Sequence, residues 1–285
     1  MTQDRKRTLR RIALAVLLVG LVLGVWAFAA EPSSLVVREH RLAVPGWPAD
    51  RAGMKIALLS DLHVGSPYYH LEQLREVVQR TNGARPDLVL IAGDLVIQEV
   101  VGGRFVSPEE MAPVLGELRA PLGVYAVLGN HDWWLDAPRV RRALERSGLS
   151  VLEDRAVRIG QGGSPFWVAG FSDFWEGAHD VAGTLAQVRD GAPVLAFTHN
   201  PDLFPEIPAR VNLTLAGHTH GGQVFFPLVG RPIVPSRYGE RFAIGHIVED
   251  GRHLFVTPGL GTSIIPVRFL VPPEISIVHL APLAN

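Results

Sequence analysis

Nine polar residues sit just after short apolar runs in this chain, and their types suit metal chemistry. "SDLHVG" carries Asp61 and His63, and "GDLV" carries Asp94. "GNHD" carries Asn130, His131 and Asp132, "THNP" carries His199, and "GHTHGG" carries His218 and His220. The aspartates offer hard oxygens, Asn130 offers a neutral carbonyl, and the histidines offer imidazole nitrogens. Such a mixture suits Mn²⁺, Fe²⁺ or Zn²⁺ better than Ca²⁺, which prefers an all-oxygen cage. The donors exceed what one tetrahedral ion needs and are about enough for two, with Asp94 able to bridge. Two ions about 3.5–4 Å apart can clamp a phosphoryl group for in-line displacement. Taken singly, each motif is more simply a polar turn between strands.

These residues need elements that carry them to one place, and the hydrophobic pattern supplies them. "MKIALLS" (54–60), "PDLVLIAGD" (86–94) and "GVYAVLGN" (123–130) read as buried strands. Helices are predicted over 70–82, 107–120 and 137–148, the second with Ser107 as N-cap and Pro108 at its first position. The first half is therefore βαβαβα, implying parallel strands with helices on both faces. The second half is richer in strands. "VLEDRAVRIG" pairs with "PFWVAGF", a short helix covers 182–190, and strands cover 193–201 and 211–222. A hairpin turns at Glu249-Asp250-Gly251, and a last strand covers 272–280. Open α/β sheets form sites at the carboxyl ends of their strands, where every motif above falls. Gly93, Gly129 and Gly217 each precede a candidate ligand, where the backbone must turn tightly.

Composition narrows the classes. With 285 residues, 47% hydrophobic and 19% charged, the chain can build a large core, and a disordered chain is excluded. A net charge of −1 argues against a nucleic-acid partner held by bulk charge. The absence of cysteine excludes disulfides and thiolate ligands. Residues 1–11 form a basic tail, and Ile12 to Ala30 contains no charge, close to the roughly 20 residues that span a bilayer. A transmembrane anchor over 12–30 is the expectation, with the N-terminus cytoplasmic and the bulk of the chain outside. A cleaved signal segment is the alternative, since Ala27-Phe28-Ala29 fits a cleavage pattern and Arg10-Arg11 resembles a weak twin-arginine signal. A connector over 31–53, with room for one strand, leads to a domain over 54–285.

The ordered set "DLH", "GD", "GNHD", a lone His and "GHTH" resembles the calcineurin-like metallophosphoesterase superfamily over about residues 54–280. The resemblance implies a four-layer αββα sandwich of two mixed sheets flanked by helices. It implies that Asp61, His63, Asp94 and His220 bind one divalent ion, and that Asp94, Asn130, His199 and His218 bind a second. It makes His131 the catalytic histidine, with Asp132 orienting it, and a metal-bridging hydroxide the nucleophile. The tail "LFVTPGLGTSIIPVRFLVPPEISIVHL" resembles membrane-anchored or exported bacterial phosphoesterases of the YkuE/YaeI type. That branch implies a phosphodiester or pyrophosphate substrate, with lipid-linked compounds such as UDP-2,3-diacylglucosamine, met in lipid A synthesis, among the options. A nucleotide-linked lipid precursor would be met on the cytoplasmic face, against the predicted topology, and favours a cell-envelope diester. A phosphomonoesterase or nucleotide phosphatase, and a catalytically silent membrane-anchored binding protein, are the competing readings.

Other residues have two readings each. Tyr68, Tyr69, Trp133, Trp134, Phe225 and Phe226 follow the motifs and would either rim the site or pack as anchors. Arg231, Arg237, Arg241 and Arg268 would either clamp a second phosphate or face solvent. His70, His179, His246, His253 and His279 stand outside any motif and read as structural or surface residues.

Overall fold

The computed structural model describes residues 3–283; Met1 and Thr2 of the basic tail lie outside them. Helix α1 (Gln3–Val25) buries no residue and runs into a π-helical turn at Trp26–Ala30. Together they are long and apolar enough to cross a membrane, with a mean hydropathy of 2.7 in the best window. The chain then enters β1 (Val36–Val44), within the stretch expected as a connector.

Alternation follows: β2 (Lys55–Leu59), α2 (Leu71–Ala84), β3 (Leu88–Ala92), α3 (Pro108–Leu115), β4 (Val124–Val127) and α4 (Asn130–Arg146). The strand-rich half holds β5 (Ser150–Val151), β6 (Arg155–Ile159), β7 (Phe166–Gly170), α5 (Val181–Leu185), β8 (Val194–Phe197) and β9 (Leu213–Ala216). It ends with β10 (Gly245–Glu249), β11 (Arg252–Val256) and β12 (Glu274–Pro282). The first sheet has the order β1-β12-β2-β3-β4-β5 and the second β10-β11-β9-β8-β7-β6. Both are mixed. β2 to β5 run parallel and β12 opposes β2, while β7, β8, β9 and β11 run parallel between antiparallel edges β6 and β10.

Why two sheets pack follows from the pleat. Successive residues of β2 point to opposite faces. Ala57 and Leu59 join Val89, Ile91, Leu74 and Val77 under the helices. Ile56 and Leu58 join Leu90, Val168, Phe197 and Leu215 between the sheets. Because both faces are buried, these strands are continuous apolar runs rather than alternating ones. The helices α2, α3 and α4 all pack on the same face of the first sheet, not on both faces as the βαβ pattern predicted. The second sheet takes the other face. Its own outer face is covered thinly, by α5 and by the 3-10 turns at Pro201–Glu206 and Gly239–Phe242.

Local chemistry sets the helix starts. The Ser107 amide donates to Glu110 Oε2 at 2.9 Å and Pro108 opens α3, as expected. Helix α4 begins at Asn130, seven residues before the predicted start at 137, because Asp132 reaches back to accept from the Gly129 amide at 3.0 Å. The motif "GNHD" is therefore the first turn of a helix rather than a loop ahead of one.

Leu58 is fully buried between the sheets. Leu58→Ala should lower unfolding free energy by about 2–5 kcal/mol, read from the urea midpoint of the detergent-solubilised chain.

Candidate metal centre

Strands β2, β3, β4, β8 and β9 deliver their motifs to one edge. The loops after β2 and β3 are zipped together: Asp61 N donates to Gly93 O at 3.0 Å and His63 N to Asp94 O at 3.0 Å. The structure brings Asp61, His63, Asp94, Asn130, His199, His218 and His220 into one buried cluster, each at most 4% exposed. Among the described residues, three groups could hold an ion: Asp61, His63 and His220; Asp94, His199 and His218; and His63, Asp94 and His131.

The contacts inside the cluster set potential metal-ligand atoms against one another. His63 Nδ1 donates to Val96 O at 3.1 Å, which leaves a lone pair on Nε2 facing inward. That Nε2 lies 3.1 Å from His220 Nε2 and 3.5 Å from Asp94 Oδ2. His199 Nδ1 donates to Ala92 O at 2.7 Å, so its Nε2 also faces inward. That atom lies 3.1 Å from Asn130 Oδ1, 3.0 Å from His218 Nδ1 and 3.3 Å from Asp94 Oδ2. Two ligand atoms sharing an ion at the usual ~2.0–2.1 Å metal–nitrogen distance lie about 3.0–3.4 Å apart. The donor set and its spacing therefore fit divalent ions.

Asp94 is central. Its Oδ1 accepts from the His131 amide at 2.9 Å, and its Oδ2 faces both halves of the cluster. Asp61 is held by the His218 amide, at 3.1 Å to Oδ1 and 3.0 Å to Oδ2.

The protonation pattern has one physical cause. Burial penalises charge, so His63 and His218 fall to about 3 and His220 falls well below the ordinary imidazole value. These rings stay neutral and keep their lone pairs. Burial alone would lower His199 too, but the Asp94 carboxylate beside it overrides burial and lifts it to about 10. The pocket thus calls for positive charge between His199 and Asp94. Burial likewise pushes Asp61 up to about 6.

Five of these residues adopt left-handed backbone: Asp61 (φ 53°), His63 (39°), Asp94 (54°), His218 (69°) and His220 (51°). Each such non-glycine residue carries roughly 1–2 kcal/mol of strain, tolerated because the surrounding contacts leave no alternative. Gly217 shows how close the backbone runs: a Cβ there would overlap the Ser60 hydroxyl and lie 2.7 Å from Asp61 Oδ2.

Several expectations change. Asp132 does not orient His131. Its Oδ1 accepts from the Leu95 and Val96 amides at 3.0 and 3.2 Å, its Oδ2 accepts from Gly129, and His131 Nδ1 has no hydrogen-bond partner among the described residues. The carboxylate is pulled to the backbone because three amides of the "GDLV" and "GNHD" turns lack other acceptors there. Arg268 is neither a phosphate clamp nor a surface residue. It is fully buried and donates to the carbonyls of Pro258, Gly261 and Val271. Arg237 lies against Asp202 and Arg241 pairs with Glu249, both outside the cleft.

A cleft of about 710 Å³ opens over the cluster. Of the expected aromatic rim, Trp134 lines it, with its ring 4.9 Å from that of His131. Trp133 and Tyr69 turn into the core instead, and Tyr68, Phe225 and Phe226 do not line the cleft. Trp175 was missed. It follows β7 in "SDFWEG", meets His218 edge-on at 4.5 Å and stacks toward Trp134 at 6.5 Å. The strand-end rule applied to β7 would have found it.

A family model described as calcineurin-like phosphoesterase matches residues 54–222. The chain belongs to that family. It is 32% identical to the metallophosphoesterase YkuE of Bacillus subtilis, across 88% of this chain and 87% of that one. It is 29% identical to phosphodiesterase YaeI of Escherichia coli, across 88% and 90%. A transmembrane protein with a metallophosphoesterase domain from Danio rerio is 29% identical across 93% of this chain and 62% of that protein.

Beneath the centre, Glu153 Oε1 accepts from the Leu128 amide at 2.8 Å while Oε2 is buried without a hydrogen-bond partner. Burial raises Glu153 to about 7. A carboxyl raised in the folded state stabilises below its unfolded value near 4.5, and that contribution is lost as pH rises through about 7. Glu153→Gln should therefore gain on the wild type by about 2–3 kcal/mol between pH 5 and pH 8, measured by urea unfolding at each pH. Gly217→Ala should reduce bound metal and stability together, because Ser60 and Asp61 must move; elemental analysis and thermal melts would show it.

Proposed function

We propose that the chain is a dimetal phosphodiesterase that acts at a membrane, with a phosphodiester or pyrophosphate as substrate. The observation that carries this is the convergence of potential ligand atoms in one buried pocket: His63 Nε2, His220 Nε2, His199 Nε2, Asn130 Oδ1 and Asp94 Oδ2 face one another at 3.1–3.5 Å. In this reading Asp61, His63 and His220 hold one ion, and Asn130, His199 and His218 hold the other. Asp94, whose Oδ2 faces both halves while its Oδ1 accepts from the His131 amide, would be a ligand to both. The donor chemistry favours Mn²⁺, Fe²⁺ or Zn²⁺. When bound, the pair supplies Lewis acidity to phosphoryl oxygens and an activated water.

The chain's own groups do the remaining work. Burial lowers His131, so it stands as a neutral imidazole that offers one N–H to a phosphoryl oxygen at the cleft floor. The first turn of α4 gives its His131 amide to Asp94 Oδ1, which holds that carboxylate at the N-terminus of the helix. Trp134 and Trp175 form an aromatic wall that keeps water from one side. Helix α1 supports attachment to the cell membrane as a single span. The basic residues before the span support a catalytic domain on the extracytoplasmic side. The name of the Escherichia coli relative supports a diester over a monoester. A lipid-linked compound such as UDP-2,3-diacylglucosamine is one substrate that fits this class.

The test is metal content beside turnover of the full chain. About two ions per chain and metal-dependent cleavage of bis-p-nitrophenyl phosphate, faster than of p-nitrophenyl phosphate, are expected. Preference for the monoester would make it a phosphomonoesterase, and metal without turnover of either would make it a binding protein. His131→Ala should keep both ions and lower kcat by about 10²-fold. Asp94→Asn should deplete both ions together.

A further inference from the structure

The outer rim of the cleft is apolar and exposed. Ile233, Ile264 and Ile265 line the mouth and are 76%, 68% and 48% exposed. Beyond them, the turn at 226–230 holds Leu228 and Val229 at its tip, 100% and 75% exposed. A soluble surface rarely gathers this many large apolar side chains without a partner. Nor are they loosely held. Phe225 N donates to Phe269 O and Phe269 N to Gln223 O, both at 2.9 Å, so the 222–235 and 263–271 loops are tied into one unit. Ile264 is a β-branched residue in left-handed backbone (φ 61°), a costly conformation, and its carbonyl accepts from Val101 N at 2.9 Å. The chain thus spends strain to hold an isoleucine outward.

The same unit holds the end of the apolar helix. Arg268 N donates to Ala27 O at 2.9 Å, and the Val271 amide donates to Glu31 Oε1. Glu31 Oε2 in turn accepts from Trp26 Nε1 at 2.6 Å. So the helix meets the domain at the carboxyl-end edge of the sheets, next to the metal centre, and not at the far edge. Trp26 and Phe28 on the helix and Leu270 beside Phe269 are exposed as well, and Phe226 of the turn packs on Phe269 with ring centroids 5.5 Å apart.

We propose that this rim is a second membrane contact, resting in the bilayer that α1 crosses. The cleft then opens onto the membrane, and its substrate is an amphiphile whose apolar part stays in the bilayer while its phosphoester reaches the centre. The occupant of the rim is lipid because the helix is fastened to that very surface. The substrate clause rests on the phosphodiesterase reading above; the membrane contact does not.

The chain lacks cysteine, so single labels are clean. Leu228→Cys, Ile264→Cys and, at the opposite end of the domain, Glu117→Cys would carry an environment-sensitive fluorophore in full-length protein in phosphatidylcholine–phosphatidylglycerol nanodiscs. Nitroxide-labelled lipids should quench positions 228 and 264 about threefold or more beyond position 117, as expected for side chains seated at the acyl boundary. Equal quenching at all three would overturn the proposal. In the second arm, the Leu228→Ser, Val229→Ser double variant is assayed on a bilayer-embedded diester reporter and on bis-p-nitrophenyl phosphate. A loss of about tenfold on the embedded reporter alone supports the amphiphile assignment. Equal loss on both, or on neither, removes it. If wild-type protein cleaves no phosphoester, the proposed function fails while the quenching still decides the rim.

Discussion

Buried lone pairs that face one another cannot be left uncompensated. In this molecule Asp61, Asp94, Asn130 and four imidazoles converge on one pocket, and most of the site's geometry follows from having to relieve that repulsion. Burial strips the imidazoles of their protons, and the Ala92 and Val96 carbonyls fix which nitrogen turns inward. The one imidazole that keeps a proton does so beside Asp94, where positive charge is most needed. A cation answers all of these demands together. The two sheets exist, in functional terms, to bring five strand ends close enough for that to happen.

The strain at the cluster belongs to the same constraint. A strand that ended in relaxed backbone would carry its side chain past the pocket rather than into it. Left-handed residues at Asp61, His63, Asp94, His218 and His220 turn the chain sharply enough to face the cluster. Asp132 holds this arrangement from behind, since its carboxylate gathers amides from two turns at once. Its contribution is to the backbone of those turns, and it makes no hydrogen bond to the His131 ring.

The residues of the centre were legible in the sequence because each follows an apolar run, and strand ends gather at one edge. The fold class was legible from βαβ alternation and from the ordered motifs. The side of the sheet taken by the helices was not, because a buried strand is apolar on both faces whatever covers them. The early start of α4 was missed because Asn130-His131-Asp132 is polar and shows no helical stripe; the signal is the Asp132 carboxylate three residues after Gly129. Arg268 misled because a lone arginine in a loop normally faces water, and only the fold supplies three carbonyls to satisfy it. Trp175 lay in a loop whose strand had been read only as a pairing partner.

Glu31 joins the indole of Trp26 to the amide of Val271, across the boundary between helix and domain. Proteolytic maturation at the Ala27-Phe28-Ala29 site would discard the indole and leave the buried Glu31 with half its contacts. The Arg268 amide would lose the Ala27 carbonyl in the same cut. The stitching places the hydrogen bonds of this segment among those that hold the 258–271 loop.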